Sequence, residues 1–374
     1  MAGWSTRRRL ALAAVAIVLL SGIVVVVNER RAGLPRSTTC DDVDPGGTRT
    51  RSAAPSGGAS DGRGDAQGGG DQRVAPAFRP ATAEAVYCQD LADPFVFVAG
   101  TLRPRYLAFG TNTQEYKVPV LLSGGILRSE DLTEALPELP AWSAPGAVWA
   151  PSVLQRGEAF VLYYTTTDEA SGRQCISRAT GSRAEGPFQD RSVRPLVCPT
   201  ELGGAIDPSP FVTEDGTPYL LWKADGNCCG LPTRIYAQAL TADGLQVAGP
   251  AQELLANTQG WEAGVVEAPA MVEHDGRLFL FYSGNSWDSA DYAIGYATCD
   301  TPLGPCTKPL DQPWLGSGRE RAGPGGQEFF RDGGDLHMIF HAWLHGTVGY
   351  DQGSFRSLHT VPVTFRDGAP VVTG

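Results

Sequence analysis

Three acidic residues stand beside prolines at near-regular intervals: Asp93-Pro94, Asp207-Pro208 and Glu267-Ala268-Pro269. Taken singly, an acid before a proline is an ordinary turn or capping residue. These three keep apolar company in Ala92, Ile206, Val265 and Val266, and a carboxylate in such surroundings is costly unless it is paired or has chemical work to do. Carboxyl groups facing one another across a gap can divide acid–base labour. One, ionised, draws a proton from water, and another, protonated, delivers a proton to a leaving oxygen. A third carboxylate beside the acid raises its pKa by repulsion and keeps it protonated near neutrality.

Such groups need elements that bring distant segments to one place. Five short segments look alike, with prolines at 94, 151, 208, 269 and 324, at steps of 57, 57, 61 and 55. Each is followed by an aromatic-rich strand: Arg105–Phe109, Phe160–Tyr164, Tyr219–Trp222, Leu278–Tyr282 and His337–His341. Turn pairs such as Asp215-Gly216 and Asp275-Gly276 separate the two strands, and no long window after Phe78 shows helical periodicity. Sheet units repeating every 57 residues or so avoid exposed edges by closing radially, as a five-bladed β-propeller of four-stranded blades. A sandwich lacks so regular a period, and parallel β-helix repeats are shorter. In a propeller the innermost strands line a central channel, so residues beside the repeat-start prolines face a common funnel.

The chain resembles glycoside hydrolase family 43 from about Val86 to Val372. The likeness rests on Asp93-Pro, Trp149-Ala-Pro, Ile206-Asp-Pro-Ser, Glu267-Ala-Pro, Tyr282-Ser283-Gly284, Gly323-Pro-Gly and the closing Arg356…Asp367-Gly368. It implies a five-bladed propeller that hydrolyses α-L-arabinofuranosyl or β-D-xylosyl linkages of arabinan- or xylan-type glycans with inversion. It further implies Asp93 as general base, Glu267 as general acid, and Asp207 as the acid that tunes and orients Glu267. Inverting hydrolysis needs a base and an acid roughly 6.5–9.5 Å apart, a gap that carboxyl groups on separate blades can span. No cofactor is required by this chemistry. Two other readings stand beside it: a non-catalytic carbohydrate-binding propeller, and a sucrose- or fructan-cleaving propeller. The latter's Asn-Asp-Pro and Arg-Asp-Pro signatures are replaced here by Ala92-Asp93-Pro94 and Ile206-Asp207-Pro208.

Further candidates ring the funnel. Trp149 is expected to stack on a sugar face or to pack between blades. The resemblance places Arg356 against substrate near the base, Ser283 on a sugar hydroxyl, and His341 near the channel, where it marks the place of a structural Ca2+. A lone histidine on an aromatic strand is otherwise a hydrogen-bonded core residue.

Composition sets the surroundings. The net charge of −11 argues against a nucleic-acid partner. Only Lys117, Lys223 and Lys308 are lysines. Residues 1–9 form a basic segment with Arg7, Arg8 and Arg9, followed by an uncharged run, 10–27, of 18 residues. At 1.5 Å per residue that run spans roughly 27 Å, close to a bilayer core. No small-residue cleavage site follows it, so the expectation is an uncleaved single-pass signal anchor with the bulk of the chain outside the cell, a cleaved signal and secretion being the alternative. Residues 28–80 are expected to be a disordered linker: Asn28 to Ala77 carries no Phe, Trp or Tyr, and Asp44 to Pro76 carries nine Gly. Residues 81–374 are then the propeller, expected to be monomeric. Eight cysteines in an exported chain suggest disulfides. Cys299 with Cys306 and Cys175 with Cys198 are the plausible pairs, and Cys228-Cys229 either forms a vicinal disulfide shaping a subsite or staples its loop. Cys40 or Cys88 is expected to stay free.

Overall fold

The computed structural model describes residues 85–100, 105–123, 132–318, 321–344 and 346–372. Strand β1 (Ala85–Tyr87) comes first, followed by five antiparallel sheets in chain order. Blade one holds β2 (Phe95–Ala99), β3 (Arg105–Phe109), β4 (Pro119–Ser123) and β5 (Leu132–Glu134), and blade two holds β6 (Ser143–Arg156), β7 (Ala159–Asp168) and β8 (Gln174–Gly181). Blade three is β9 (Ala205–Val212), β10 (Pro218–Ala224), β11 (Arg234–Ala239) and β12 (Gln252–Ala256). Blade four is β13 (Val266–His274), β14 (Arg277–Gly284), β15 (Ala293–Cys299) and β16 (Cys306–Thr307). Blade five is β17 (Arg321–Asp332), β18 (Asp335–Leu344) and β19 (Arg356–Arg366), with β1 and β20 (Ala369–Val372) both pairing on β19.

The innermost strands pack in cyclic order, β2 on β6, β6 on β9, β9 on β13, β13 on β17, and β17 back on β2. This is the expected five-bladed β-propeller. Its blades are less uniform than a strict four-stranded repeat. Blade two has three strands, its outer position filled by the single bridges Ile176↔Val197 and Thr180↔Gln189.

Strand periodicity explains why the ring closes. In β10, Leu220 enters one buried cluster and Leu221 the next. In β14, Phe279 and Phe281 point to one side while Leu278, Leu280 and Tyr282 point to the other. A strand apolar on both faces demands a sheet against each. Five apolar clusters accordingly lie between the five pairs of neighbouring blades. The seam between blades five and one is closed by the antiparallel pairing of β1 with β19, Ala85 opposite His359.

The anchor expected at 10–27 and the linker expected at 28–80 lie outside the described residues. Among the described residues no helix is long and apolar enough to cross a membrane.

The expected bridges Cys175–Cys198 and Cys299–Cys306 are present, as is the vicinal bond Cys228–Cys229. Cys88 is also disulfide-bonded, which corrects the expectation that it might stay free. The grouping of metal-ligand types at Asp168, Cys175 and Cys198 has both sulfurs in a bridge. Chain-entropy reasoning assigns the 23-residue separation of Cys175 and Cys198 about 3 kcal/mol, and the 7-residue separation of Cys299 and Cys306 about 2 kcal/mol. Urea unfolding of the two double-alanine variants is expected to rank them in that order. A smaller loss for the longer loop would contradict the account.

Candidate active site

Every innermost strand carries the same irregularity where it enters the channel. Asp93, Ala150, Asp207, Ala268 and Gly326 all have positive φ, between 44° and 60°. The first four precede a proline. In β6, β9, β13 and β17 the pairing register slips at this point, the mark of a β-bulge. A left-handed conformation costs a non-glycine residue roughly 1–2 kcal/mol, and a following proline restricts it further. Bulges re-aim side chains, and these five residues line one pocket at the channel mouth.

The bulge corrects two details of the repeat. In blade five the equivalent position is Gly326-Gln327, not Gly323-Pro324, so the last step is 58 residues rather than 55. Glu267 does not share the position of Asp93 and Asp207. It lies one residue earlier, in register with Trp149, Ile206 and Gly325.

A second cyclic set holds the bulges. Opposite the residue before each bulge, the second strand or its extension places Thr111, Thr165, Lys223, Ser283 and His341. Four of these accept the bulge N–H of the next blade. Thr111 Oγ1 takes Ala150 N at 3.1 Å, Thr165 Oγ1 takes Asp207 N at 3.3 Å, Ser283 Oγ takes Gly326 N at 3.0 Å, and His341 Nδ1 takes Asp93 N at 3.0 Å. The fifth N–H, of Ala268, goes to Asp207 Oδ2 at 2.9 Å.

Asp93 sits in a cationic corner. The Thr111 hydroxyl donates to its Oδ2 at 2.6 Å, and the Arg356 guanidinium lies 3.5 Å from Oδ1. Burial pushes this carboxyl up, but Arg356 above all, with the Thr111 bond, holds it below the usual carboxylate range. Arg356 is itself fixed, donating from Nε to Tyr350 Oη at 2.9 Å and lying over the Trp287 ring at 4.6 Å. Tyr350 in turn donates to Asp90 at 2.9 Å.

The opposite corner holds the other two acids. Glu267 accepts from Lys223 Nζ at 2.8 Å on Oε2 and from the Tyr292 hydroxyl at 2.7 Å on Oε1. Lys223 is only 1% exposed and lies 3.4 Å from Asp225 Oδ1. Burial disfavours its charge, but Glu267, Asp207 and Asp225 together raise its pKa and keep it an ammonium. Burial, and then the charge of Glu267, push Asp207 up to about 8 against the opposing pull of Lys223. Asp207 therefore carries a proton at neutral pH, while Asp93 holds none.

The structure thus lines one pocket with Asp93 and Asp207, sets Glu267 beside Asp207, and places Arg356 against Asp93. Trp149 is half-buried beside the bulge Ala150, and its indole has no ring stack or hydrogen bond among the described residues. Ser283 is fully buried. Its hydroxyl is engaged by Gly326 N and donates to Gln327 Oε1 at 2.8 Å, so it serves the scaffold rather than a sugar hydroxyl. His341 is likewise a clamp. Burial lowers its pKa to about 3, so it is neutral, and because Nδ1 accepts from Asp93 N its proton is on Nε2. Nε2 is the ring atom left for any further partner, and it could ligate a cation only after giving up that proton. Its buried Nε2–H has no partner among the described residues.

Lys223, Tyr292, Thr111 and Tyr350 were not among the sequence candidates. One carried a signal: Lys223 is a lone charge in the apolar strand Tyr219-Leu-Leu-Trp-Lys-Ala. The Gly323-Pro-Gly-Gly motif also acquires a reason. A Cβ on Gly325 would lie 2.0 Å from Cε1 of the Tyr292 ring, and one on Gly326 would lie 2.6 Å from His341 Nδ1 and 3.0 Å from Asp93 Oδ1.

Comparison with known proteins agrees with this geometry. The family model Glycosyl hydrolases family 43 matches residues 83–370. The chain is 26% identical over 211 residues to the Beta-D-galactofuranosidase xynD of Aspergillus niger, covering 54% of this chain and 58% of that protein. It is 30% identical over 185 residues to the Arabinoxylan arabinofuranohydrolase of Bacillus subtilis, covering 43% of this chain and 34% of that protein. The chain therefore spans little more than half of the first curated relative and about a third of the second. The crystal structure of a thermostable family-43 glycoside hydrolase matches with a TM-score of 0.66 at 27% identity, over 76% of this chain and 93% of that one. With the family model extending from before the first strand of the ring to its last, the chain belongs to the glycosyl hydrolases of family 43.

Proposed function

We propose that the chain is an inverting glycosidase acting on α-L-arabinofuranosyl linkages, with β-D-xylosyl linkages as the second pentosyl substrate, in arabinan- or xylan-type glycans. One observation carries the reading: a single pocket is lined both by Asp93, a carboxyl kept ionised by Arg356, and by Asp207, a carboxyl that burial and then the charge of neighbouring Glu267 push up to about 8. That is the division inverting hydrolysis needs. The names of both curated relatives point to furanosides, which favours the arabinofuranosyl arm.

Asp93 acts as general base. It accepts a proton from the water that attacks the anomeric carbon, on the face opposite the departing oxygen. Glu267 acts as general acid and gives the pair's proton to that oxygen, and Asp207 keeps the proton available. Arg356 keeps Asp93 ionised, and Trp149 offers a free aromatic face for a sugar. The route runs on the chain's own carboxyl groups.

We extend the proposal to placement: residues 10–27 anchor the protein in the cell membrane and 28–80 hold the propeller outside it, as the apolar run and the Gly-rich composition suggest. The protein is then expected in the membrane fraction after an alkaline carbonate wash. Recovery in the soluble fraction or the medium would replace the anchor with a cleaved signal.

Aryl α-L-arabinofuranoside, β-D-xyloside and β-D-galactofuranoside separate the substrate arms, and NMR of the first product anomer tests inversion. Net retention would remove Asp93 as base. Glu267→Ala is expected to lose roughly 10²–10⁴ in rate on an oligosaccharide but far less on a dinitrophenyl glycoside, whose leaving group needs no proton. Asp93→Ala is expected to fail on both. The reverse pattern would exchange the two roles.

The pH dependence follows from the same electrostatics. Activity is expected to fall on the alkaline side near pH 8, as the Asp207–Glu267 pair loses its proton. It falls on the acid side only below the usual carboxylate range, where Asp93 protonates. Arg356→Met removes the main influence lowering Asp93, so the acid limb of kcat/KM is expected to move up by roughly one to three pH units. An unmoved limb would detach Arg356 from the base.

A further inference from the structure

The cyclic clamp has one exception, and it lies at the acid. At four of five equivalent positions the second-strand residue is Thr, Ser or His, each able to accept the bulge N–H of the next blade. In blade three the position is Lys223, which has three donors and no acceptor. The Ala268 N–H is left for another partner, and Asp207 Oδ2 takes it. The ammonium meanwhile bonds Glu267, the residue just before that bulge, and approaches Asp225 at the end of its own strand. Packing does not explain this choice. Leu220, Leu221 and Trp222 beside it are fully buried, and a buried ion pair is commonly replaced by neutral residues without loss of stability.

We propose that Lys223 is the positioning residue of the acid pair: its Nζ holds the Glu267 carboxyl in place, and its inability to accept the Ala268 N–H draws the Asp207 carboxyl onto that N–H and so against Glu267. The inference rests on the functional reading above, in which Glu267 is the acid. Asp225 is the alternative partner of the ammonium. The groups that act on Glu267 are Lys223 from β10, Asp225 from the turn after it, Asp207 from β9 and Tyr292 from the segment entering β15. The Asp93–Arg356 corner lies across the mouth.

Three variants test this in the full-length protein. In Lys223→Thr a hydroxyl can take the Ala268 N–H as Thr165 takes that of Asp207, so the bulge keeps a partner while the acid pair comes apart, with a fall in melting temperature from the carboxylates left without their ammonium. Lys223→Met removes charge and donor together. Asp225→Asn removes the competing carboxylate 3.4 Å from the ammonium, which Glu267 then no longer shares with it. The carboxyl of Glu267 is followed by 13C NMR of glutamate-labelled protein, identified by the signal missing in Glu267→Gln. Its titration is expected to move up by roughly one to three pH units in both Lys223 variants and down in Asp225→Asn. On an oligosaccharide, kcat/KM of Lys223→Thr is expected to fall roughly 10–10²-fold, with a much smaller fall on a dinitrophenyl glycoside.

A Glu267 titration unmoved across the variants would overturn the proposal, as would equal loss on both substrates with the alkaline limb in place. If a Lys223 variant fails to fold, the downward shift in Asp225→Asn decides, and its absence overturns. If the wild-type protein hydrolyses no glycoside offered, the functional reading falls. The NMR titration still decides whether Lys223 holds Glu267.

Discussion

The site depends on a hydrogen bond repeated around the ring, from the peptide N–H of a left-handed bulge residue to a side chain of the preceding blade. The bulge turns the chain so that the residue carrying it looks into the channel, and that turn is conformationally unfavourable for Asp and Ala. A buried N–H without a partner would add a further penalty. Because the acceptor belongs to a neighbouring sheet, the same bond satisfies the bulge and registers one blade against the next. Thr111 does both jobs and one more, since its hydroxyl accepts from Ala150 N and donates to Asp93. Scaffold and chemistry share atoms here.

Charge is arranged around the mouth in two corners. Arg356 serves Asp93, held in its place by Tyr350, Asp90 and the face of Trp287. Lys223 serves the acid pair. The two cations differ as their tasks do. A guanidinium remains charged at any working pH and binds through a fixed fork, which suits a base that must stay ionised. An ammonium is a point charge that can rest between two carboxylates, which suits an acid that must gain and lose its proton.

Much of this was legible in the sequence. The five-fold step, the aromatic strands and the turn pairs come from periods that local sterics enforce, and the ring followed from them. The acids were found through their prolines. Phase is what the sequence hides: Glu267 groups with Asp93 and Asp207 by its proline, because a proline two residues on looks like a proline one residue on until the bulge separates them. The same slip placed the fifth repeat on Gly323-Pro324, where a proline stood, instead of Gly326-Gln327, where none did. Ser283 and His341 were read as ligand contacts, since a polar residue on an apolar strand does not announce that its partner is a backbone N–H one blade away. Tyr292 left no trace, being placed by the glycine that makes room for it in another blade.

The closing strand has a consequence for how activity arises. Four of the five seams join blades that are neighbours in sequence, and these can assemble as the chain emerges. The last seam pairs Ala85 with His359 and brings His341 to the N–H of Asp93, 248 residues earlier. Contacts of such separation carry the largest chain-closure entropy and form late. Asp93 acquires its clamp and its cation only across that seam, because Arg356 also comes from blade five. An open ring, however well its separate blades are packed, therefore leaves Asp93 without the cation that holds it ionised, and the charge of Asp93 reports that the circle is shut.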